Sequence, residues 1–154
     1  APIFVARQLV KHKFLRWNEI SRRYVDDEPE FYKPDVWRGR SADKKQGSEG
    51  VVDPYGDLGL NPRLEDTYIA AIDMYDDLLE HGVAPEQARM VLPQSTMTEW
   101  YWSGSLDAFA DMCRLRCKED TQYESRLVAD QVSNIMQNLY PVTWASLMEG
   151  QDDE

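Results

Sequence analysis

Large side chains recur through residues 62–82 at spacings that only a helix brings to one side, with Tyr68, Ile72, Tyr75 and Leu79 separated by four, three and four positions. Asn61-Pro62 supplies a cap followed by a first-turn proline, and Gly82 a stop, so the stretch predicts a helix. Downstream, Pro85 leads a short helix carrying residues 86–90, which Leu92-Pro93 breaks, and residues 96–102 have the β-branched and aromatic content of a strand. Ser105 then caps a helix with Leu106, Phe109 and Cys113 on one face. Thr121 and Glu124 form a capping-box pattern ahead of another, whose apolar stripe is Val128, Val132, Ile135 and Leu139. Pro141 ends that helix, a short amphipathic piece follows, and residues 151–154 read as a frayed tail.

The first half is less periodic. Pro2 suits a first helical turn, and Ile3, Phe4, Val5, Leu9 and Val10 make the opening apolar, which leaves helix and buried strand both open. As a helix it puts Arg7 and Lys11 on one face, with Gln8 and His12 on the next. Residues 16–24 favour an extended segment, with Asn18, Ile20, Arg22 and Tyr24 on one side and Trp17, Glu19, Ser21 and Arg23 on the other. Residues 26–62 are rich in proline and glycine turns such as Asp53-Pro54-Tyr55-Gly56 and read mostly as a long surface excursion, of the kind that often serves as a functional lid. No internal repeat and no separable second domain are visible, and the expectation is one domain over residues 1–154.

Composition narrows the class. A chain of 154 residues, 42% hydrophobic, is long enough to bury a core and is not a disordered tail. No apolar run approaches the roughly 20 residues that cross a bilayer, and no signal-peptide pattern opens the chain, so a cytoplasmic protein without a membrane partner is expected. Cys113 and Cys117 are too few, and too sparsely accompanied by histidine, for a structural zinc site; they read as buried or half-buried thiols, and no metal is expected.

Charge changes the picture most. The net charge is -11, yet residues 7–24 gather Arg7, Lys11, Lys13, Arg16, Arg22 and Arg23 around the single acid Glu19. The segment carries +5 and the remainder of the chain -16. Clustered cations concentrate anionic ligands locally, while the acidic remainder repels a long polyanion lying across it. A compact phosphate ligand fits better than a duplex. Arg89 and Arg116, outside the segment, are candidates for fixed guanidinium groups, which bind phosphate or a planar oxygen-nitrogen edge in a bidentate way. His12, between two lysines, is disfavoured as imidazolium and available as a neutral donor and acceptor. Ser21 has no partner base nearby, so hydrogen bonding suits it better than covalent catalysis.

Residues 7–24 resemble the signature of the flavin-dependent thymidylate synthases, in which an Arg-Gln pair precedes an Arg-His-Arg triplet, about seven residues and a serine. Here the triplet is Lys11-His12-Lys13 and Ser21 falls in register, with Asn18-Glu19 and Arg23-Tyr24 agreeing. Tyr75, Gly82, Glu86 and the run Ala88-Arg89-Met90-Val91-Leu92-Pro93 resemble the family's second block, and Leu115-Arg116 with Gln122 and Glu124 its third. The resemblance implies an α+β fold with a mixed sheet and flanking helices, lacking part of the N-terminal region, and a homotetramer with sites between subunits.

It further implies reductive methylation of dUMP to dTMP, with FAD as cofactor, methylenetetrahydrofolate as carbon donor and NADPH as reductant. Carried onto this chain, Gln8, Leu9, Val10, Lys11, Glu19, Ile20, Ser21, Arg22, Arg23, Arg89 and Arg116 would contact dUMP, with Arg116 catalytic through charge on the uracil ring. Lys11, His12, Lys13, Glu19, Ser105, Asp107 and Asp111 would face FAD. The chain departs from the usual pattern at Lys11 and Lys13, which keep charge but lose the planar fork, and at Ser105, Asp107 and Asp111, where Asn, Arg and Asn are common. Asp120 stands where His is frequent. Two rival readings are a non-catalytic module that stacks single-stranded bases on Trp17 and Tyr24, and a degenerate family member acting only within a larger assembly.

Overall fold

The computed structural model describes residues 1–20, 28–42, 47–54 and 62–149. The elements among the described residues are, in order, α1 (Ile3–Leu9), β1 (Arg16–Glu19), β2 (Trp37–Arg40), β3 (Ser48–Val52), α2 (Pro62–Glu80), α3 (Pro85–Ala88), a 3-10 turn (Arg89–Val91), β4 (Trp100–Ser103), α4 (Leu106–Arg116), α5 (Tyr123–Leu139) and α6 (Pro141–Glu149). Among the described residues the strands pair as two two-stranded sheets, β1 with β4 and β2 with β3, in an α+β arrangement as expected. The opening is therefore helical, and the expected excursion over residues 26–62 contains a strand pair. The alternation of Trp37-Arg38-Gly39-Arg40 was hidden there by the surrounding turn residues. The strand expected over 96–102 starts four residues later, Thr96 and Met97 forming single bridges to Phe31 and Pro2.

The chain divides into two compact units built from interleaved segments. The first comprises Ala1–Ala6, Glu19–Gly39 and Gly50–Trp100. Its core holds Val5, Ala6, Tyr68, Tyr75, Ala88 and Thr96. Tyr68 stacks on Phe31 with ring centroids 4.5 Å apart and donates its hydroxyl to the Tyr32 carbonyl at 2.8 Å, so its apolar ring and polar tip are both satisfied.

The second unit comprises Arg7–Asn18, Arg40–Glu49 and Tyr101–Glu154. Here α4, α5 and α6 pack on one another around Phe109, Met112, Cys113, Ala129 and Trp144. Trp144 is 1% exposed and donates its indole N–H to Ser133 Oγ at 3.2 Å. Trp17, Trp102 and Phe109 form an edge-to-face ladder with centroid separations of 5.6 and 5.7 Å, which ties strand residues to α4. The Ser105, Leu106, Phe109, Cys113 reading of α4 holds for its buried face, since Phe109 and Cys113 are in the core.

Two expectations for α5 are corrected. No capping box forms: Gln122 is the N-cap without a side-chain cap bond, and Thr121 Oγ1 donates instead to the Leu115 carbonyl at 3.2 Å. The buried face carries Ser125 and Ala129, whereas Ile135 and Leu139 of the expected stripe are 55% and 63% exposed. Small residues let α5 approach α4 closely enough for Cys113 Sγ to reach the Ala129 carbonyl at 3.6 Å, and that approach turns the bulkier stripe away. Both cysteines are held protonated: burial, with the Asp130 carboxylate also contributing, pushes Cys117 up to about 11, and burial pushes Cys113 higher still.

Replacing Trp144 by Ala removes a fully buried indole from between α5 and α6. The free energy of unfolding in urea should fall by about 3–5 kcal/mol, and a loss under about 1 kcal/mol would show that α6 is not part of the core.

Candidate functional site

The candidate site lies in the second unit. Arg7 and Gln8 lie near the end of α1, Lys11 and His12 in the turn that follows it, and Arg116 closes α4. Arg114 and Arg116 occupy the last helical turn, where cations are favoured by the partial negative charge of the helix terminus. Arg116 Nε donates to His12 Nε2 at 2.9 Å. The acceptor must be an unprotonated ring nitrogen, so His12 is neutral with its proton on Nδ1. Burial is the first cause holding its pKa below 6.5, and the Arg116 charge the second. The neutral state foreseen for His12 is thus present, but Arg116 and burial impose it rather than the flanking lysines.

Arg116 and Lys11 each line two clefts, one of which His12 also lines. The larger, about 420 Å³, is lined by Arg7, Gln8, Lys11, Gly47, Arg116 and Gln122, three cations and, among the described residues, no acid. Gly47 has φ +89°, and a Cβ there would run into the Asp120 carbonyl oxygen, so only glycine lets the chain pass along this wall. The smaller cleft, about 320 Å³, is lined by Lys11, His12, Lys13, Phe14, Ala108, Asp111, Leu115 and Arg116. Phe14 holds φ 63° with its ring 80% exposed. Gly104 admits that turn: a Cβ on it would lie 2.6 Å from Leu15 Cδ2 and 3.0 Å from the Phe14 carbonyl oxygen.

The residues expected to contact a nucleotide are partly gathered. Gln8, Lys11 and Arg116 share the larger cleft, which also recruits Arg7, Gly47 and Gln122. Leu9 is fully buried and Val10 is 41% exposed, and neither lines either of these two clefts. Glu19, Ile20 and Arg89 belong to the first unit. There Glu19 accepts the Thr98 hydroxyl at 2.6 Å, and Arg89 Nε donates to the Glu86 carbonyl at 3.2 Å. Ser21, Arg22 and Arg23 lie outside the described residues.

Of the residues expected to face a flavin, Lys11, His12, Lys13 and Asp111 line the smaller cleft. Asp111 there pairs with Arg114. Ser105 and Asp107 line neither cleft. A hydrogen bond from Ser105 holds the Asp107 carboxyl below its usual range, with the N–H groups of Asp107 and Ala108 adding to it. The aspartate thus sits on the open N–H groups at the start of α4. Arg7 was visible in the basic segment on the helix face it shares with Lys11, and Gln122 in the third block without a role assigned to it; Gly47 carries no sequence signal that would have singled it out.

Fold and clefts together define an α+β protein with a cationic site suited to a compact anion. The chain belongs to the family described as thymidylate synthase complementing protein, whose profile matches residues 1–142. It is 40% identical over 149 residues to a flavin-dependent thymidylate synthase of Thermus thermophilus, an alignment covering 97% of this chain and 54% of that protein. Against the flavin-dependent thymidylate synthase of Thermosipho africanus the identity is 34%, covering 97% of this chain and 65% of that one. Among solved structures, a UMP/dUMP methylase, PolB from Streptomyces cacaoi, bound with 5-Br UMP, superposes with a TM-score of 0.84 at 29% identity, covering 95% of this chain and 69% of that one. The chain therefore spans between about half and two-thirds of the length of these curated relatives.

His12 yields a test. Because its folded pKa is below the unfolded value, the unfolded chain binds the extra proton, and the stabilisation from neutral His12 is present above pH 6.5 and lost as pH falls through the folded pKa. Histidine NMR titration should place His12 below 6.5 and show it rising part of the way in Arg116→Ala, burial remaining. A value unchanged in that variant would show that the guanidinium does not act on the ring.

Proposed function

We propose that this protein takes part in the reductive methylation of dUMP to dTMP as a flavin-dependent thymidylate synthase, with methylenetetrahydrofolate as carbon donor and NADPH reducing the flavin. The observation that carries the reading is the larger cleft, whose lining of three cations without a described carboxylate stands in a protein of net charge -11. The relatives named for this activity and the methylase bound with 5-Br UMP support it.

In this reading Arg7 and Lys11 take the phosphate, with Arg23 and Arg89 assigned to the same nucleotide by resemblance. Arg116 meets the uracil ring. A guanidinium there favours ionisation at N3 and stabilises negative charge on the pyrimidine, so the ring needs no cysteine nucleophile. Its hydrogen bond to His12 leaves the terminal nitrogens of the fork for the ligand.

The smaller cleft fits a planar anionic cofactor, with Lys11 and Lys13 for phosphate and Phe14, Ala108 and Leu115 as an apolar wall. FAD held there would supply a hydride to the one-carbon unit. Its volume, about 320 Å³, suits one half of the dinucleotide, in keeping with a homotetramer whose sites are completed between subunits. Lys11, His12 and Arg116 border both clefts or join them, so they orient nucleotide and flavin toward each other. Glu19, Ser105 and Asp107 complete the flavin assignment by resemblance. The two compact units are taken as parts of one family domain, and the compartment as the cytoplasm. Trp17 is engaged edge-to-face with Trp102, which favours this reading over one in which it stacks nucleic-acid bases.

Purified protein should show an oxidised-flavin spectrum that shifts on adding dUMP; protein that stays colourless after reconstitution with FAD would remove the enzyme reading. Arg116→Ala should lower turnover by about 10²–10³-fold with flavin retained, and near-normal turnover would show the assignment of Arg116 to be wrong.

A further inference from the structure

Behind the larger cleft runs a chain of hydrogen bonds whose direction is fixed at one end. Gln122 Nε2 donates to Glu124 Oε2 at 3.0 Å. Gln8 Nε2 donates to Gln122 Oε1, and Ser125 Oγ donates to Gln8 Oε1 at 3.2 Å. A carboxylate only accepts, so Gln122 must offer its nitrogen to Glu124 and keep its oxygen for Gln8. That oxygen in turn obliges Gln8 to offer nitrogen. The Gln8 oxygen is left for Ser125, which is fully buried.

The two ends of the Gln8 amide therefore differ in where they face. Its oxygen end meets Ser125, which is 0% exposed and does not line the cleft, while its nitrogen end meets Gln122, which does. One N–H of that nitrogen is used on Gln122, and the second is the polar group Gln8 has left for a ligand on the cleft side. Arg7, Lys11 and Arg116 are donors only. Locked in this sense, Gln8 joins Arg7, Lys11 and Arg116 in offering N–H groups to a ring in the cleft.

We propose that Glu124, acting through Gln122, is a positioning residue that fixes Gln8 as a donor and thereby makes the cleft select a keto-edged pyrimidine over an amino-edged one. The inference rests on the pyrimidine-nucleotide reading of the cleft. Uracil and cytosine differ at C4, where one carries a carbonyl acceptor and the other an amino donor. A fixed donor pairs with the first. Against the second it leaves two donors facing each other, which rejects the ligand more strongly than a missing contact would.

Glu124→Gln removes the anchor while keeping size. The amide introduced there can donate to Gln122 Oε1, Gln122 can then donate to Gln8 Oε1, and Gln8 can donate to Ser125 Oγ, so the whole chain can reverse and present oxygen to the cleft. Gln8→Glu places an acceptor there directly, without touching α5. Calorimetric titration of the purified protein with dUMP and with dCMP reads the effect as the ratio of the two affinities, and thermal unfolding of each variant monitors the fold.

The wild-type protein should prefer dUMP, and either variant should reduce that preference by about tenfold with little change in thermal midpoint for Glu124→Gln. A purely structural role for Glu124 would weaken both nucleotides alike and lower the midpoint. A preference retained in both variants, or a wild-type protein that binds the two nucleotides equally, would overturn the relay while leaving the nucleotide reading standing. A wild-type protein that binds neither would overturn the nucleotide reading and the relay with it.

Discussion

The bond from Arg116 Nε to His12 Nε2 holds the site together. It joins the end of α4 to the turn after α1, two segments more than a hundred positions apart in the chain. It also settles two states at once: the imidazole is held neutral because it must accept, and the guanidinium is held in place because one of its donors is used. A hydrogen bond to a charged group contributes about 1.5–3 kcal/mol, enough to keep a long, rotamer-rich side chain in one arrangement. Both clefts share Arg116 and Lys11, so their geometry moves with this one interaction.

Around it the chain applies charge economically. A protein of net -11 places three cations along one cleft with no described carboxylate in its lining, while Asp111, which lines the other, is paired with Arg114. The acidic surroundings leave the local field positive over a small area, which suits a mononucleotide better than a strand. Packing supplies the rigidity: the Trp17, Trp102, Phe109 ladder holds α4 from one side, and Ala129 and Trp144 hold the bundle from the other. Gly47 and Gly104 remove the two Cβ atoms that would keep neighbouring backbone from the site.

Much of this was legible in the order of residues. Helices α2, α4 and α5 follow from apolar period and punctuation, and the basic segment with its Lys11-His12-Lys13 core was visible as a local inversion of charge. The face of α5 was not, because hydrophobicity points to Ile135 and Leu139 while close helix packing rewards the small residues Ser125 and Ala129. The β2 and β3 pair was hidden by turn residues, and pairing between strands is a long-range choice that local composition does not encode. In the candidate site, charge pointed to Lys11, and the family resemblance to Arg116. Gly47 and the Gln8, Gln122, Glu124 chain arise from contacts between segments far apart in the sequence and have no local signature.

If the cationic cleft of the second unit is where a pyrimidine monophosphate sits, a crystal structure of the protein with dUMP will show it there. The nucleotide is expected in the cleft lined by Arg7, Gln8, Lys11 and Arg116, with its oxygens about 2.7–3.2 Å from the nitrogens of Lys11 and Arg116. A nucleotide seated away from those two side chains would contradict this placement.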